Sequence, residues 1–166
     1  VLISLHPTQD SNENRKILLA LEKLIKKLKD TQFIISSPNF DDDSQIFYNF
    51  INQCKKKYYN FFFCKSFGYQ NYLSIMKNVD FVLGNSSSGI TEAPILKTFT
   101  INIGTRQEGR PMSPSIINIK PDYKDLFKAV KSIYKKKKYF KSFYYKENTV
   151  KNIIKVVETK NLINLK

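Results

Sequence analysis

The chain is poor in arginine, histidine, glycine and cysteine, and each shortage closes off a class of function. Its five glycines form neither a G-x-G-x-x-G run nor a P-loop, which disfavours redox use of a dinucleotide and P-loop NTP hydrolysis. The single histidine, His6, has no second histidine or Cys/His cluster beside it, so a metal centre is not expected. Among the carboxylates, Asp41-Asp42-Asp43 are adequately explained as acids favoured by the positive end of a helix, not as Mg²⁺ ligands. No apolar run approaches the roughly 20 residues of a membrane-spanning helix. The apolar opening Val1-Leu2-Ile3-Ser4-Leu5 is stopped by His6-Pro7, which leaves no secretory signal visible. Two cysteines, Cys54 and Cys64, point to a reducing, cytoplasmic setting; Cys64, in an apolar run, reads as a buried thiol. The chain opens on Val1 and not Met, so we expect a piece of a longer protein that lacks a preceding domain.

What is abundant is lysine. Lys and Arg number 28 against 14 acids among 166 residues, a formal net charge of +14. Such a balance invites a nucleic-acid reading. Arginine, however, occurs only at positions 15, 106 and 110, and the lysines accompany abundant Asn, Ile, Phe and Tyr. That mix is what an AT-rich coding sequence produces. Lys26-Lys27, Lys55-Lys56-Lys57 and Lys135-Lys136-Lys137-Lys138 fall near the ends of helix-like segments, where cations are favourable and solvated. Neither a nucleic acid nor a membrane is the expected partner.

Hydrophobic residues make up 42% of the chain, enough for one domain with a sizeable core. Strand and helix signals alternate. Strands are predicted over 1–5, 33–35, 61–64, 81–83, 98–103 and 115–119. Helices are predicted over 11–29, 41–57, 69–77, 88–96, 122–134 and 148–160. Pro94 argues for a later start to the fourth helix, since proline is comfortable only in a first turn. Short unbroken apolar strands alternating with helices imply a parallel sheet covered on both faces, an α/β Rossmann-like sandwich. Ligands bind such sheets beyond the carboxyl ends of the strands. The polar loops all fall at that edge: His6 after strand one, Asn39 after strand two, Ser86–Ser88 after strand four, and Arg106–Arg110 after strand five.

Those loops carry the candidate chemistry. Asn85-Ser86-Ser87-Ser88-Gly89-Ile90-Thr91-Glu92 turns from a strand into a helix, where unpaired N–H groups and the helix dipole attract phosphate. The three serines add hydroxyl donors, and Gly89 permits close backbone approach. Ordinary serine capping of the helix explains the same cluster. Glu92 suits ribose hydroxyls or a bond to the cap. Gly104-Thr105-Arg106-Gln107-Glu108-Gly109-Arg110 holds two of the three arginines, whose planar forks match phosphate; surface pairing with Glu108 is the alternative. His6 reads equally as a structural histidine, a phosphate donor or an acid/base.

The combination of His6-Pro7-Thr8, Pro38-Asn39, Gly84 through Glu92, and Ile101 through Arg110 resembles the C-terminal half of the hydrolysing UDP-N-acetylglucosamine 2-epimerases, best in their sialic-acid-pathway branch. The resemblance runs from His6 to about Ile119. It implies a two-domain glycosyltransferase-B-like protein with its active site between two Rossmann-like halves. Residues 1–166 would form the nucleotide-sugar-binding half, and 148–166 would reach back to the missing half with Ile153, Ile154 and Val157 exposed here. Ser86, Ser87 and Arg106 would hold the diphosphate, with Ser88, Gly89 and Arg110 as further phosphate contacts. Glu92 would bind the ribose, Asn39 would lie near the nucleoside, and His6 would face the diphosphate and sugar as the candidate acid/base. The implied reaction removes the C2 proton as UDP leaves C1, and water then adds to the glycal to give N-acetylmannosamine. No cofactor or metal is implied. The implied partners are UDP-N-acetylglucosamine or UDP, the N-terminal domain, and further copies in the full-length protein. The main acid/base carboxylates would lie in the missing half, so this chain alone should not turn over substrate. Serines replace the Asp of another branch, which leaves a GDP-sugar epimerase of a legionaminic-type pathway open. A glycosyltransferase-B donor-binding domain is the remaining alternative.

Overall fold

The computed structural model describes residues 1–37, 44–136 and 142–159. Six strands form one parallel sheet: β1 (Leu2–Ser4), β2 (Phe33–Ser36), β3 (Phe61–Cys64), β4 (Phe81–Gly84), β5 (Phe99–Ile103) and β6 (Ile116–Ile119). Their spatial order is β3-β2-β1-β4-β5-β6. The helices are α1 (Ser11–Lys27), α2 (Ser44–Lys57), α3 (Gly68–Asn78), α4 (Ser88–Ile95), α5 (Tyr123–Ile133) and α6 (Thr149–Thr159). Every predicted element is present with ends shifted by a few residues. The fold is the expected Rossmann-like sandwich.

Alternation along the strands builds two cores. On one face Ile3, Phe33, Ile35, Phe81, Leu83, Phe99 and Ile101 pack with residues of α1, α2 and α5. On the other, Leu2 and Val82 pack with Met76 of α3 and Ala93 of α4. This two-sided burial is why the strands read as unbroken apolar runs and not as alternating ones. Helix α1 starts where the Asp10 carboxylate accepts the N–H groups of Asn12 (2.8 Å) and Glu13 (3.1 Å), and α5 is capped the same way by Asp122. The lysines of the 26–27 and 55–57 runs occupy the last turns of α1 and α2, as their dipoles favour.

Two expectations need correction. Pro94 does not delay α4, which begins at Ser88 and holds Pro94 near its end. There the helix is already closing: the Leu96 N–H bonds the Glu92 carbonyl at 3.1 Å and the Thr98 N–H bonds the Ala93 carbonyl at 2.9 Å. Cys64 is not the buried thiol. It sits half-buried on the edge strand β3 and donates to the Ser66 carbonyl at 3.2 Å, whereas Cys54 is sealed in the core. Both are free, and burial pushes the Cys54 thiol up to about 12.

Sheet register fixes the geometry of the carboxyl edge. Ser4 pairs with Gly84, Gly84 with Asn102, and Asn102 with Asn118, so four strands end in one row. Among the described residues, no helix is long and apolar enough to cross a membrane.

Candidate functional site

At the centre of that row β1 and β4 come unusually close. Gly84 has φ +149°, and a Cβ there would stand 1.9 Å from the Ser4 carbonyl oxygen. The approach lets the Ser4 oxygen accept from both the Asn85 and Ser86 N–H groups, at 3.2 and 3.3 Å. The strand ends are thereby stapled together before the chain turns into α4.

Asn85, 1% exposed, joins three loops. Its Oδ1 accepts the His6 N–H at 2.8 Å and its Nδ2 donates to the His6 carbonyl at 2.8 Å. Its own carbonyl accepts from Arg106 Nη1 at 3.2 Å and Gln107 Nε2 at 2.8 Å. The loops after β1, β4 and β5 therefore converge on one residue, the first through its side-chain amide and the last through its backbone carbonyl. His6 and Arg106 are set beside the serine turn as a consequence. The His6 ring approaches the Pro7 carbonyl through Nδ1 at 2.9 Å.

The serine turn is not a conventional helix cap. Ser87 precedes the first helical residue but makes no side-chain capping bond; it is Ser86 Oγ that takes a first-turn amide, the Ser88 N–H at 3.4 Å. The turn also has fewer open amides than its sequence implies. Asn85 and Ser86 give theirs to Ser4, and Gly89 donates to the Ser86 carbonyl at 3.2 Å. Its half-buried hydroxyls are the other donors available: Ser88 Oγ bonds Ser86 Oγ at 3.1 Å and Tyr72 OH at 2.7 Å. Gly89 is needed for packing, since a Cβ would lie 2.8 Å from Thr100 Cγ2. The Glu92 carboxylate accepts from the neighbouring Thr91 hydroxyl and does not bond the cap.

The arginine loop is held from below by α1. Glu13, 8% exposed, accepts the Thr105 N–H at 2.8 Å and the Thr105 hydroxyl at 3.1 Å. Arg106 is half-buried, whereas Glu108 and Arg110 are exposed and form no ion pair with each other among the described residues. Arg110 lines a cavity of about 440 Å³ over the ends of β5 and β6, with Asn102, Thr105, Glu108 and Lys120, and neither the serine turn nor Arg106 contributes to that wall. The structure thus gathers His6, Ser86–Ser88 and Arg106 around Asn85 and sets Arg110 apart. Asn39 and Asp41–Asp43 lie outside the described residues. Among those that are described, no group of three or more His, Cys, Asp or Glu side chains is placed to hold a metal.

Sequence reasoning missed the work of Asn85, Glu13 and Tyr72. Asn85 sat inside the quoted motif, but only the pairing of β1 with β4 reveals what it reaches. Glu13 looked like an ordinary first-turn acid.

Residues 1–158 match the family model described as UDP-N-acetylglucosamine 2-epimerase. A Campylobacter jejuni protein named GDP/UDP-N,N'-diacetylbacillosamine 2-epimerase (hydrolyzing) is 37% identical over 119 residues, which span 70% of this chain and 31% of that protein. The Escherichia coli polysialic acid biosynthesis protein P7 is 30% identical over 95% of this chain and 42% of its own length. The chain thus spans less than half the length of these relatives. Among solved structures, the Methanocaldococcus jannaschii UDP-GlcNAc 2-epimerase in complex with UDP-GlcNAc and UDP superposes with a TM-score of 0.76 at 19% identity, over 96% of this chain and 45% of that one. The Neisseria meningitidis UDP-GlcNAc 2-epimerase bound to UDP-GlcNAc gives 0.76 at 14% identity, over 96% and 44%. These likenesses bear out the Rossmann-like fold.

Proposed function

The chain belongs to the UDP-N-acetylglucosamine 2-epimerase family, and from that premise we propose that it is the nucleotide-binding half of a hydrolysing UDP-N-acetylglucosamine 2-epimerase. The product of the whole enzyme would be N-acetylmannosamine for sialic-acid-type sugar synthesis. The observation that carries this reading is the convergence on Asn85, which puts the Arg106 guanidinium and the serine hydroxyls at one strand edge. As the C1–O bond breaks, charge accumulates on the diphosphate, and fixed donors that meet it lower the barrier. Arg106 and the hydroxyls of Ser86 and Ser87 supply those donors, with Ser88 and Gly89 shaping the turn. Glu92, one helical turn on, takes the ribose hydroxyls, Asn39 flanks the nucleoside, and His6 stands over the sugar side. Arg110, on its separate wall, reaches a ligand only from across the loop. The carboxylates that move the C2 proton belong to the preceding half, so the chain by itself binds nucleotide but does not turn it over.

The name of the Campylobacter jejuni relative includes GDP as well as UDP, and this favours a second reading in which the donor is a GDP-sugar of a legionaminic-type pathway. Titration of the chain with UDP and GDP, each against Arg106→Ala, tests both. A charge-assisted contact to phosphate contributes about 1.5–3 kcal/mol, so the substitution should weaken the preferred nucleotide about 10- to 100-fold. Equal affinities of parent and variant for both nucleotides would remove the diphosphate assignment.

A further inference from the structure

Beneath the serine turn lies a chain of hydroxyls from three elements. Ser4 Oγ, at the end of β1, stands 2.8 Å from the Tyr72 hydroxyl of α3. Tyr72 in turn stands 2.7 Å from Ser88 Oγ, and Ser88 Oγ donates to Ser86 Oγ at 3.1 Å. The Ser88 N–H points at the same Ser86 oxygen, at 3.4 Å. A hydroxyl has one proton and two acceptor lone pairs, so with Ser88 as the donor to Ser86 the proton count sets a direction along the chain. Ser88 gives its proton to Ser86 and must accept from Tyr72. Tyr72, its proton committed to Ser88, accepts from Ser4, whose oxygen stands nearer to Tyr72 (2.8 Å) than to Ser88 Oγ (3.4 Å). Ser86, already accepting twice, has only its own proton left to offer.

We propose that the Tyr72 hydroxyl is a positioning group that makes Ser86 a hydrogen-bond donor toward an ionised phosphate. The inference rests on the nucleotide-binding reading above and adds to it the reason an acceptor-rich anion is preferred at Ser86. Hydrogen bonds in a directed chain polarise one another, so removing a link weakens the donor at the far end without touching the ligand. Tyr72 is half-buried in the face packed by α3 and α4, and its ring keeps its packing when only the oxygen is removed.

The test is UDP titration of the chain followed by amide chemical shifts, with uridine as the phosphate-free probe. Tyr72→Phe should weaken UDP about three- to tenfold, the equivalent of one hydrogen bond, and leave uridine unchanged. Ser86→Ala should weaken UDP by at least as much, and the double variant should be no weaker than Ser86→Ala alone, because Tyr72 acts through Ser86. Parent-like UDP affinity in Tyr72→Phe, or additive losses in the double variant, overturns the relay. If Tyr72→Phe does not fold, Ser4→Ala breaks the same chain at its head and is judged by the same criteria. Arg106→Ala separates the two proposals. A loss there with a silent Tyr72→Phe refutes only the relay, and a silent Arg106→Ala with a loss in Tyr72→Phe refutes only the arginine assignment. A parent chain with no UDP-dependent shifts refutes both.

Discussion

Gly84 is the residue on which the site geometry turns. Its φ of +149° lies where a side chain is strained, and the 1.9 Å approach of a would-be Cβ to the Ser4 oxygen leaves no room for one. The neighbour is backbone and cannot swing aside. Overpacking and backbone strain each cost about 1–3 kcal/mol, so Gly84→Ala should destabilise the chain by about 3 kcal/mol or more in urea unfolding. It should also part His6 from Asn85. A variant as stable as the parent would show that the strands separate at little cost. Cys54 makes a second residue-scale prediction. Its folded pKa, about 12, lies above the ordinary value of 9.0 because burial disfavours the thiolate. Whatever it contributes is fully present below pH 9 and is lost as pH rises toward 12, because the unfolded chain releases the proton first. The stability difference between the parent and Cys54→Ala should therefore narrow over that range. At pH 8 a thiol reagent should label Cys64 in the native chain and Cys54 only on unfolding; simultaneous labelling would contradict the burial.

At the scale of elements, α1 governs the arginine loop. Glu13 holds Thr105 by its N–H and its hydroxyl, and Gly104 makes this possible, since a Cβ there would stand 2.8 Å from Glu13 Oε1. Loss of that acceptor removes a part-buried hydrogen bond of the Thr105 N–H, at about 0.5–1.5 kcal/mol. Glu13→Ala should lower stability by that amount and weaken UDP through Arg106, one residue on. Glu13→Gln keeps an acceptor oxygen and should recover most of both. Equal loss in the two variants would mean that the charge, not the acceptor, holds the loop. This clamp also marks how far the sequence could be read. The six strands were legible because two-sided burial makes each an apolar run, and the four carboxyl-edge loops followed from parallel topology. The pairs Glu13–Thr105 and Asn85–His6 were not, because they are separated by 92 and 79 positions and depend on which strands are neighbours. Periodicity places a side chain on a face but does not say what faces it. The separation of Arg106 from Arg110 was hidden for the same reason: both lie on one loop, and only its path sends one toward Asn85 and the other to the β5–β6 cavity.

At the scale of the molecule, α6 stands outside the core. Val150, Ile153, Ile154 and Val157 follow helical spacing, yet each is about half exposed or more, and no residue of α6 enters either hydrophobic cluster. An isolated helix of this length is marginal in water, and an apolar stripe on one face is the signature of a helix that packs against something. Within the proposed architecture the partner is the preceding half of the enzyme. If so, the double substitution Ile153→Lys and Val157→Lys removes nothing this domain relies on. Its urea midpoint should stay within about 0.5 kcal/mol of the parent, as for exposed sites in general. In the full-length protein the same pair should lower the melting temperature and cut epimerase turnover, because two charges would enter an apolar contact. A destabilisation of the present chain by more than about 1 kcal/mol would place α6 on this domain instead. Unchanged turnover and melting of the full-length variant would mean that the stripe packs against neither half.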